Sequence, residues 1–343
     1  MPTPASGIDD APVSDWLVRN IDGAVAPFRF DLIAGGRSNL TYRVTGGDGS
    51  RFVLRRPPLG HVLATAHDMA REHRVIAAVG TTGVPVPRAL GLCTDEAVNS
   101  APFYVMSYVD GVVLDSIEKG ESMTLELRRA TSFHLIDVLA DLHAIDIDAV
   151  GLGNFAKREG YVERQVKRWS MQWENSKTRE LPAIDEVAAT LRERMPVQRG
   201  VSIAHGDYRL GNCLTDVSAG RIAAVLDWEL CTLGDPLADV GYLGVYWFDG
   251  DRATARTNDP TAAGGFASYD ELLERYATTT GRDLSGIDYY VAFSCWRLAV
   301  ISEGVYARYL HGAMGEQDFD FEMFKGNVDQ LAERALDASR RLS

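Results

Sequence analysis

Hydrophobic and polar residues in the first third of the chain alternate in short runs that are typical of β-strands. A short helix is predicted over residues 15–22 and a longer one over residues 65–79, while glycine-rich turns separate the first three strand-like runs. The five predicted strands are FRFDLIA (28–34), LTYRVT (40–45), RFVLRR (51–56), VPRALGL (86–92) and PFYVMSYV (102–109). Residues 1–109 are therefore predicted to form a small, mostly antiparallel sheet with a helix packed on it.

In the rest of the chain the apolar positions recur with the period of an α-helix. Within residues 127–145, Leu135, Val138, Leu139 and Leu142 fall on one face. Further helices are predicted over residues 160–178, 184–195, 235–248, 269–280, 288–310 and 320–341. We expect an α+β protein in which a sheet domain (1–109) and a larger helical domain (110–343) enclose a cleft.

Composition narrows the class of protein. The 343 residues include 35 Lys and Arg against 48 Asp and Glu, a formal net charge of -13. This balance disfavours nucleic acids and anionic membranes as partners, because both attract basic surfaces. No apolar run reaches the ~18 residues of a membrane span. A small-molecule partner is the remaining expectation, and the oligomeric state is left open.

The cellular compartment is predicted from the cysteines and the N-terminal residues. Cys93, Cys213, Cys231 and Cys295 stand far apart, and no C-x-x-C pair indicates a zinc knuckle or a disulfide framework. The acidic N-terminal residues contain no apolar segment typical of a secretory signal. We therefore expect a cytoplasmic protein.

The most informative stretch of the sequence is residues 201–239. An H-G-D motif ends at Asp207, and five residues later stands Asn212, at the start of a predicted β-hairpin that ends at Asp227. Antiparallel pairing places Asn212 close to Asp227. An amide and a carboxylate suit Mg²⁺, and Asp207 would be free to accept a proton from a hydroxyl. Turn capping explains any one of these residues, but it explains the combination poorly.

H-G-D-x₄-N followed by D-W-E resembles the catalytic and metal-binding motifs of the aminoglycoside phosphotransferase/choline kinase family, which has a two-lobed, protein-kinase-like fold. The resemblance covers nearly the whole chain. It is closest to the branch related to the phosphotransferase domain that is fused to some acyl-CoA dehydrogenases. The segments that carry this closer match are FVLRRPP, HGDYRLGN, VLDWELCTLGDPLADVGY and RLAVISEGVYARYLHG.

The resemblance implies transfer of the γ-phosphate of ATP to a hydroxyl of a small molecule. Asp207 is then the catalytic base, and Asn212 and Asp227 hold Mg²⁺. H-G-D and D-W-E differ from the protein-kinase motifs H-R-D and D-F-G, which disfavours a protein kinase. A non-catalytic module that binds ATP and Mg²⁺ is the alternative from another class, and ATP versus GTP preference is left open.

The N-terminal half supplies the residues that the family implies for nucleotide binding. The turn that contains Gly36, Arg37, Ser38 and Asn39 can present backbone N–H groups to phosphates, although that segment alone favours a plain hairpin. Arg55 stands where the family usually has a lysine, and whether it fully replaces lysine is left open. Arg56 is the alternative occupant of this role.

Glu72 falls within the apolar stripe of the helix predicted over 65–79. A carboxylate there needs a partner, and Arg55 is the candidate for an ion pair. The alternative is a glutamate at the edge of the stripe that reaches solvent. The inter-lobe hinge, whose backbone would bind adenine, is predicted at Met106, Ser107, Tyr108 and Val109.

The phosphate acceptor is left open between an aminoglycoside-like and a hydroxyacyl-CoA-like molecule. An acidic protein could attract an aminoglycoside, which is a polycation. The basic segment KREGYVERQVKR (157–168), with Arg297 and Arg308 later in the chain, could instead receive an anionic acceptor. A solvated helix face explains the basic segment equally well.

Asp235 and Asp239, at the start of a predicted helix, are interpreted as capping and loop-tethering residues.

Overall fold

The computed structural model describes residues 6–34, 39–59, 68–312 and 320–342. Its N-terminal part contains one antiparallel sheet of five strands in the order β1-β2-β3-β5-β4. These strands are β1 (Arg29–Ala34), β2 (Leu40–Thr45), β3 (Arg51–Arg56), β4 (Ala89–Cys93) and β5 (Phe103–Ser107). The helices of this part are α1 (Asp10–Asn20), α2 (Met69–Val79) and α3 (Glu96–Asn99). The five predicted strands are all present.

The predicted bounds of the first two helices were less accurate. Helix α1 lies earlier in the chain than the predicted 15–22. It ends at Asn20 because the backbone is extended at Ile21, and it buries Val13 and Leu17, which are one turn apart. Helix α2 begins at Met69, where Asp68 caps it by accepting a hydrogen bond from the Arg71 N–H. Residues 65–67 of the predicted helix lie outside the described residues.

The C-terminal part is mainly helical. Its helices are α4 (Ile117–Glu121), α5 (Leu125–Ala144), α6 (Tyr161–Ser176), α7 (Pro182–Glu193), α8 (Leu237–Val245), α9 (Tyr269–Thr280), α10 (Ile287–Leu310) and α11 (Phe321–Ser339). Its strands β6 (Ser202–Ala204), β7 (Cys213–Asp216), β8 (Arg221–Val225) and β9 (Thr232–Gly234) form two short antiparallel pairs, β6–β9 and β7–β8. The predicted α+β architecture of a small sheet lobe and a larger helical lobe is confirmed.

Two hydrophobic cores hold the lobes. The smaller core lies between one face of the sheet and α1, and includes Leu17, Tyr42 and Phe103. The larger core begins under the other face, at residues such as Ile76, and continues through Leu139 into the helices of the C-terminal part. Because this core runs across the proposed boundary at 109/110, that boundary stays a prediction.

Two further observations concern the helices and the cysteines. No helix among the described ranges is long and apolar enough to cross a membrane. The four cysteines are buried and unpaired.

Helices α8 and α10 approach each other closely at Gly241. A Cβ atom placed on Gly241 would lie 2.6 Å from the carbonyl carbon of Tyr290. Gly326 in α11 is different, because a Cβ atom there would meet nothing within 4 Å. The backbone contact between α8 and α10 therefore requires glycine, whereas α11 does not.

We expect Gly241→Ala to lower the free energy of unfolding by ~1–3 kcal/mol, because the methyl group forces the two helices apart. Gly326→Ala is the matched control, and it should raise stability by ~0.5–1 kcal/mol through helix propensity. Urea unfolding of both variants tests this packing. Equal effects of the two substitutions would contradict the close approach of α8 and α10.

Candidate active site

The H-G-D motif lies in the loop after β6, and helix α8 holds it in place. Gly206 has a φ of +84°, and a Cβ atom there would lie 2.9 Å from the carbonyl oxygen of Leu230, so only glycine fits. The buried carboxylate of Asp239 accepts hydrogen bonds from the backbone N–H groups of His205 (2.7 Å) and Gly206 (2.8 Å). Asp235 accepts a hydrogen bond from the Leu237 N–H near the start of α8. The loop-tethering interpretation is confirmed for Asp239, whereas the N-cap residue of α8 is Pro236 and no side chain caps the helix.

His205 organises the same loop from inside. One tautomer satisfies both ring nitrogens: Nε2 donates to the Leu226 carbonyl oxygen (2.8 Å), and Nδ1 accepts from the Asp207 N–H (3.2 Å). The ring is fully buried and packs 4.7 Å from the ring of Trp228. Because both nitrogens are engaged with the backbone, His205 positions the loop that carries Asp207.

Arg297 supports the loop rather than facing an acceptor. It is buried in α10, donates to the Gly206 carbonyl oxygen (2.6 Å) and stacks over the Tyr242 ring at 4.6 Å. The expectation that Arg297 receives an anionic acceptor was wrong, because its guanidinium is enclosed by the protein. Arg308, by contrast, is exposed.

The hairpin brings Asn212 beside Asp227, as its predicted register requires. Cys213 pairs with Val225, and the Leu226 N–H donates to the Asn212 carbonyl oxygen (2.8 Å). The Asn212 side-chain amide donates to Asp207 Oδ2 (2.7 Å) and to the Asp207 carbonyl oxygen (2.8 Å). The structure therefore brings Asp207 and Asn212 into contact, with Asp227 at the adjoining end of the hairpin.

Arg55 joins the two lobes above this loop. Its Nε lies 3.1 Å from Glu72 Oε2, and its Nη2 lies 2.6 Å from Asp227 Oδ1 and 3.5 Å from Glu229 Oε2. The predicted ion pair between Arg55 and Glu72 is present. Arg56 is directed elsewhere and donates to the Gly7 carbonyl oxygen, so it does not take the role of Arg55.

Glu72 is buried and fully partnered, so the alternative of a solvent-exposed glutamate is wrong. In addition to the ion pair, Oε2 accepts from the Tyr104 hydroxyl (3.0 Å) and Oε1 accepts from the Asn39 amide (2.7 Å). Burial raises the pKa of Glu72 to about 7, although Arg55 acts in the opposite direction. Burial would lower the pKa of Arg55, but Tyr104, Glu72 and Asp227 raise it above its ordinary value. The guanidinium therefore stays charged in this enclosed position.

The predicted phosphate-binding turn is only partly described. Gly36, Arg37 and Ser38 lie outside the described residues. Asn39 is buried, and its amide contacts Glu72 and, at 3.3 Å, Glu229 Oε2. In the structure this side chain helps to fix the Arg55 cluster, defined here as Arg55, Glu72, Asp227 and Glu229.

A cavity of about 660 Å³ lies between the lobes. Its volume is in the usual range for small-molecule sites. Arg55, Asn212 and Asp227 are at one part of its wall, and the predicted hinge is at another. The hinge residues that line it are Met106, Ser107, Tyr108 and Val109.

The residues at this cavity fit a Mg²⁺ ion. The Asn212 amide nitrogen is committed to Asp207, which leaves its oxygen as a possible ligand beside the partly exposed carboxylate of Asp227. Such a set of oxygen donors is the kind that Mg²⁺ prefers. In the described part of the chain no three His, Cys, Asp or Glu side chains are grouped as a metal centre, so a bound ion would need water and phosphate oxygens as further ligands.

Comparison with known proteins identifies the family of this chain. Residues 29–275 match the phosphotransferase enzyme family (APH), and the chain belongs to that family. The chain is 34% identical over 318 residues to acyl-CoA dehydrogenase family member 11 of Gallus gallus, covering 90% of this chain and 40% of that protein. It is 35% identical over 285 residues to acyl-CoA dehydrogenase family member 10 of Mus musculus, covering 81% and 26%. The chain thus spans less than half the length of these curated relatives.

Solved structures share the fold. A Ralstonia eutropha protein classed as an aminoglycoside phosphotransferase superposes with a TM-score of 0.82 at 30% identity, over 97% of this chain and 98% of that one. Aminoglycoside phosphotransferase APH(4)-Ia, in a complex with AMP-PNP and hygromycin B, has a TM-score of 0.58 at 19% identity, over 94% and 98%. An ethanolamine kinase of Plasmodium vivax has a TM-score of 0.58 at 12% identity, over 93% and 86%. The latter two comparisons show the fold alone.

Sequence reasoning gave Glu229 no role of its own, and it did not consider Tyr104 or Arg209. Glu229 contacts the Arg55 cluster, Tyr104 donates to Glu72, and Arg209 lies 3.4 Å from Asp207. The available signals were the glutamate of D-W-E and the arginine within HGDYRLGN. Tyr104 carried no signal, because a tyrosine in a buried strand is ordinary.

We expect Asp239→Asn to destabilise the protein by ~2–4 kcal/mol, because an amide offers one oxygen where a carboxylate accepts two backbone N–H groups. Burial would raise the pKa of Asp239, but hydrogen bonds from His143 and from the Gly206 N–H lower it below its ordinary value. The native carboxylate therefore stabilises the fold above its unfolded pKa of ~3.9, and the effect is lost as pH falls through the lower native pKa.

Urea unfolding of Asp239→Asn from pH 7 to pH 3 measures this dependence. The difference from the wild type should be largest near neutrality and shrink at the acid end, while Asp270→Asn, an exposed control in α9, should change little. A difference that does not vary with pH would contradict the role of the Asp239 carboxylate.

Proposed function

We propose that this chain is an ATP- and Mg²⁺-dependent phosphotransferase that moves the γ-phosphate to a hydroxyl of a small molecule. Membership of the phosphotransferase family supports the broader class. The observation that carries the proposal is that Asn212, Asp227 and the buried Arg55 line the inter-lobe cavity, while the Asn212 amide contacts the carboxylate of Asp207. The family comparison alone does not assign these residues.

In this proposal each residue has a defined task. Asp207 orients the acceptor hydroxyl and takes its proton, and Asn212 restrains one oxygen of that carboxylate. Asn212 and Asp227 would hold Mg²⁺, which when bound would offset the negative charge of the phosphates. Arg55 would contact the phosphates, with Glu72 fixing its orientation.

The remaining predicted contacts concern the nucleotide. The backbone of residues 106–109 would bind adenine, and the turn containing Gly36, Arg37, Ser38 and Asn39 would lie over the phosphates. Acting together, these contacts would align the nucleotide with the acceptor before any bond changes. Phosphoryl transfer depends mainly on such positioning and on electrostatic stabilisation.

A non-catalytic module that binds ATP and Mg²⁺ is the second candidate. The observation that favours it is that the Arg55 guanidinium is already paired with three carboxylates. Stabilisation by Mg-ATP without turnover on any acceptor would support this candidate.

For the acceptor we propose a hydroxyacyl-CoA-like molecule ahead of an aminoglycoside-like one. The relatives that match 81–90% of this chain carry the name acyl-CoA dehydrogenase family member. Two arginines of the basic segment 157–168 make contacts within the protein: Arg158 pairs with Asp148, and Arg164 donates to the Lys157 carbonyl oxygen. Lys167 of the same segment is exposed. Part of this segment therefore supports the fold, and its exposed part can meet an anionic group.

A cytoplasmic location and the lack of nucleic-acid and membrane partners stay predictions from composition.

The test compares ATP-dependent phosphorylation of a hydroxyacyl-CoA panel and an aminoglycoside panel by the wild type and by Asp207→Asn. We expect turnover on the hydroxyacyl-CoA panel, and a loss of at least ~100-fold in Asp207→Asn because the base is removed. ATP binding, measured by thermal shift, should be retained in the variant. Asp22→Asn, an exposed substitution, is the control for folding and activity.

Each outcome of that test is informative. Unchanged turnover in Asp207→Asn would contradict the assignment of the base. Turnover only on aminoglycosides would overturn the proposed acceptor while leaving phosphoryl transfer intact.

A further inference from the structure

The chain leaves the N-terminal sheet at the end of β5 and crosses to the C-terminal lobe. The pairing of β3 with β5 ends at Phe52 and Ser107. The next attachment is Val112, whose backbone exchanges two hydrogen bonds with Thr215 of β7 (2.9 and 2.8 Å). The segment between these attachments, residues 108–111, includes half of the predicted hinge and lines the inter-lobe cavity through all its residues but Asp110.

One side chain of the sheet, that of Arg51, holds this segment. Nη1 and Nη2 of Arg51 donate to Oδ1 and Oδ2 of Asp110 at 2.9 and 2.7 Å. The same guanidinium stacks over the ring of Tyr108, 4.3 Å from its centre. A bidentate pair of this kind fixes the relative orientation of its two partners. Because Tyr108 and Asp110 flank Val109, both neighbours of that residue are restrained by Arg51.

The exposure of the ion pair shows that its effect is local. The Arg51 side chain is 44% exposed and that of Asp110 is 74% exposed, and such pairs contribute little to global stability. Arg51 alternates along β3 with Val53 and Arg55, which both line the cavity, so the three side chains lie on one face of the strand. Arg51 is therefore placed at the hinge end of the cavity wall.

A second arginine lies near the same tyrosine. Arg43 of β2 pairs with Val53 in the sheet register, which makes Arg43 and Arg51 diagonal neighbours on one face. Asp31 raises the pKa of Arg43 and Asp110 raises the pKa of Arg51, and Tyr108 acts on both in the same direction. The side chain of Tyr108 is thus kept at the rim of the cavity beside two cations.

We propose that Arg51 is a positioning residue for the nucleotide, which fixes Tyr108 and Asp110 so that the hinge backbone is ready to receive the adenine base. This inference rests on the proposed function, in which residues 106–109 bind adenine. Without Arg51 the segment 108–111 would adopt further conformations, and only a fraction of the molecules would present the hinge correctly. The apparent Kd for the nucleotide then rises by the inverse of that fraction.

The test measures the Kd for Mg-ATP by calorimetry. We expect Arg51→Met to raise it by ~5–10-fold, the combined size of one exposed cation–π contact and one exposed ion pair. Arg51→Lys keeps the charge without the fork of donors, so its effect should be smaller. Arg129→Met is the matched control, because Arg129 also pairs with a carboxylate, that of Glu271, and stacks over a ring, that of Phe133, at an exposed place. Its Kd should equal that of the wild type.

Two further measurements separate positioning from a general loss of stability. If Arg51 acts through Tyr108, the effects of Arg51→Met and Tyr108→Ala should not add, and the double variant should bind within ~2-fold of the weaker single variant. With the acceptor that gives the highest turnover in the two panels, the KM for Mg-ATP should rise in Arg51→Met. Both kcat and the KM for the acceptor should stay within ~2-fold of the wild type.

The possible outcomes separate this inference from the proposed function. An unchanged Kd in Arg51→Met, or fully additive effects in the double variant, would overturn the role of Arg51. A wild type that binds Mg-ATP and phosphorylates nothing would overturn the proposed function, while the Kd values would still decide the role of Arg51. A wild type that does not bind Mg-ATP would overturn both. If Arg51→Met fails to fold in a thermal melt, Asp110→Asn decides: a Kd equal to that of the wild type counts against the inference.

Discussion

The buried ion pair between Arg55 and Glu72 is the interaction on which the rest of the site depends. The charge of Arg55, a buried residue between two lobes, must be compensated. Carboxylates from both lobes do this: Glu72 from α2, with Asp227 and Glu229 from the loop after β8. The same contacts fix the distance between the sheet and the proposed metal ligand. The proposed site for a highly charged nucleotide is thus compatible with a net charge of -13.

Helix α2 can hold Glu72 in place because the neighbouring residue, Arg71, attaches the helix to the C-terminal lobe. Arg71 donates to the carbonyl oxygens of Phe155 (3.0 Å) and Cys231 (3.1 Å) and stacks over the Phe155 ring. Cys231 lies two residues after Glu229, the last residue of the D-W-E motif. The helix that presents Glu72 and the loop that presents Asp227 are thus joined by neighbouring residues, and Asp239 holds the H-G-D loop on the opposite side.

Much of this arrangement could be predicted from the sequence, because its determinants are local. Strand alternation and helical periodicity identified the five-stranded sheet and the long helices, and the turn at residues 216–220 fixed the register that puts Asn212 near Asp227. The pairing of Arg55 with Glu72 followed from a charge within an apolar stripe. Contacts between distant segments left no such pattern, so the burial of Arg297 under the H-G-D loop and the position of Arg209 beside Asp207 required the structure.

In the proposed function, Arg55 is the phosphate-binding cation, in the position where the resemblance to the family implies a lysine. The most direct measurement is the Kd for Mg-ATP by calorimetry in the wild type, Arg55→Lys and Arg55→Met, with Arg29→Met, at an exposed ion pair, as the control. If Arg55 contacts the phosphates, Arg55→Met should weaken binding by ~10–100-fold, the value of a hydrogen bond to a charged group, and Arg55→Lys should weaken it less. A Kd for folded Arg55→Met within ~2-fold of the wild type would contradict the claim, because hydrogen bonds to charged groups are worth more than that.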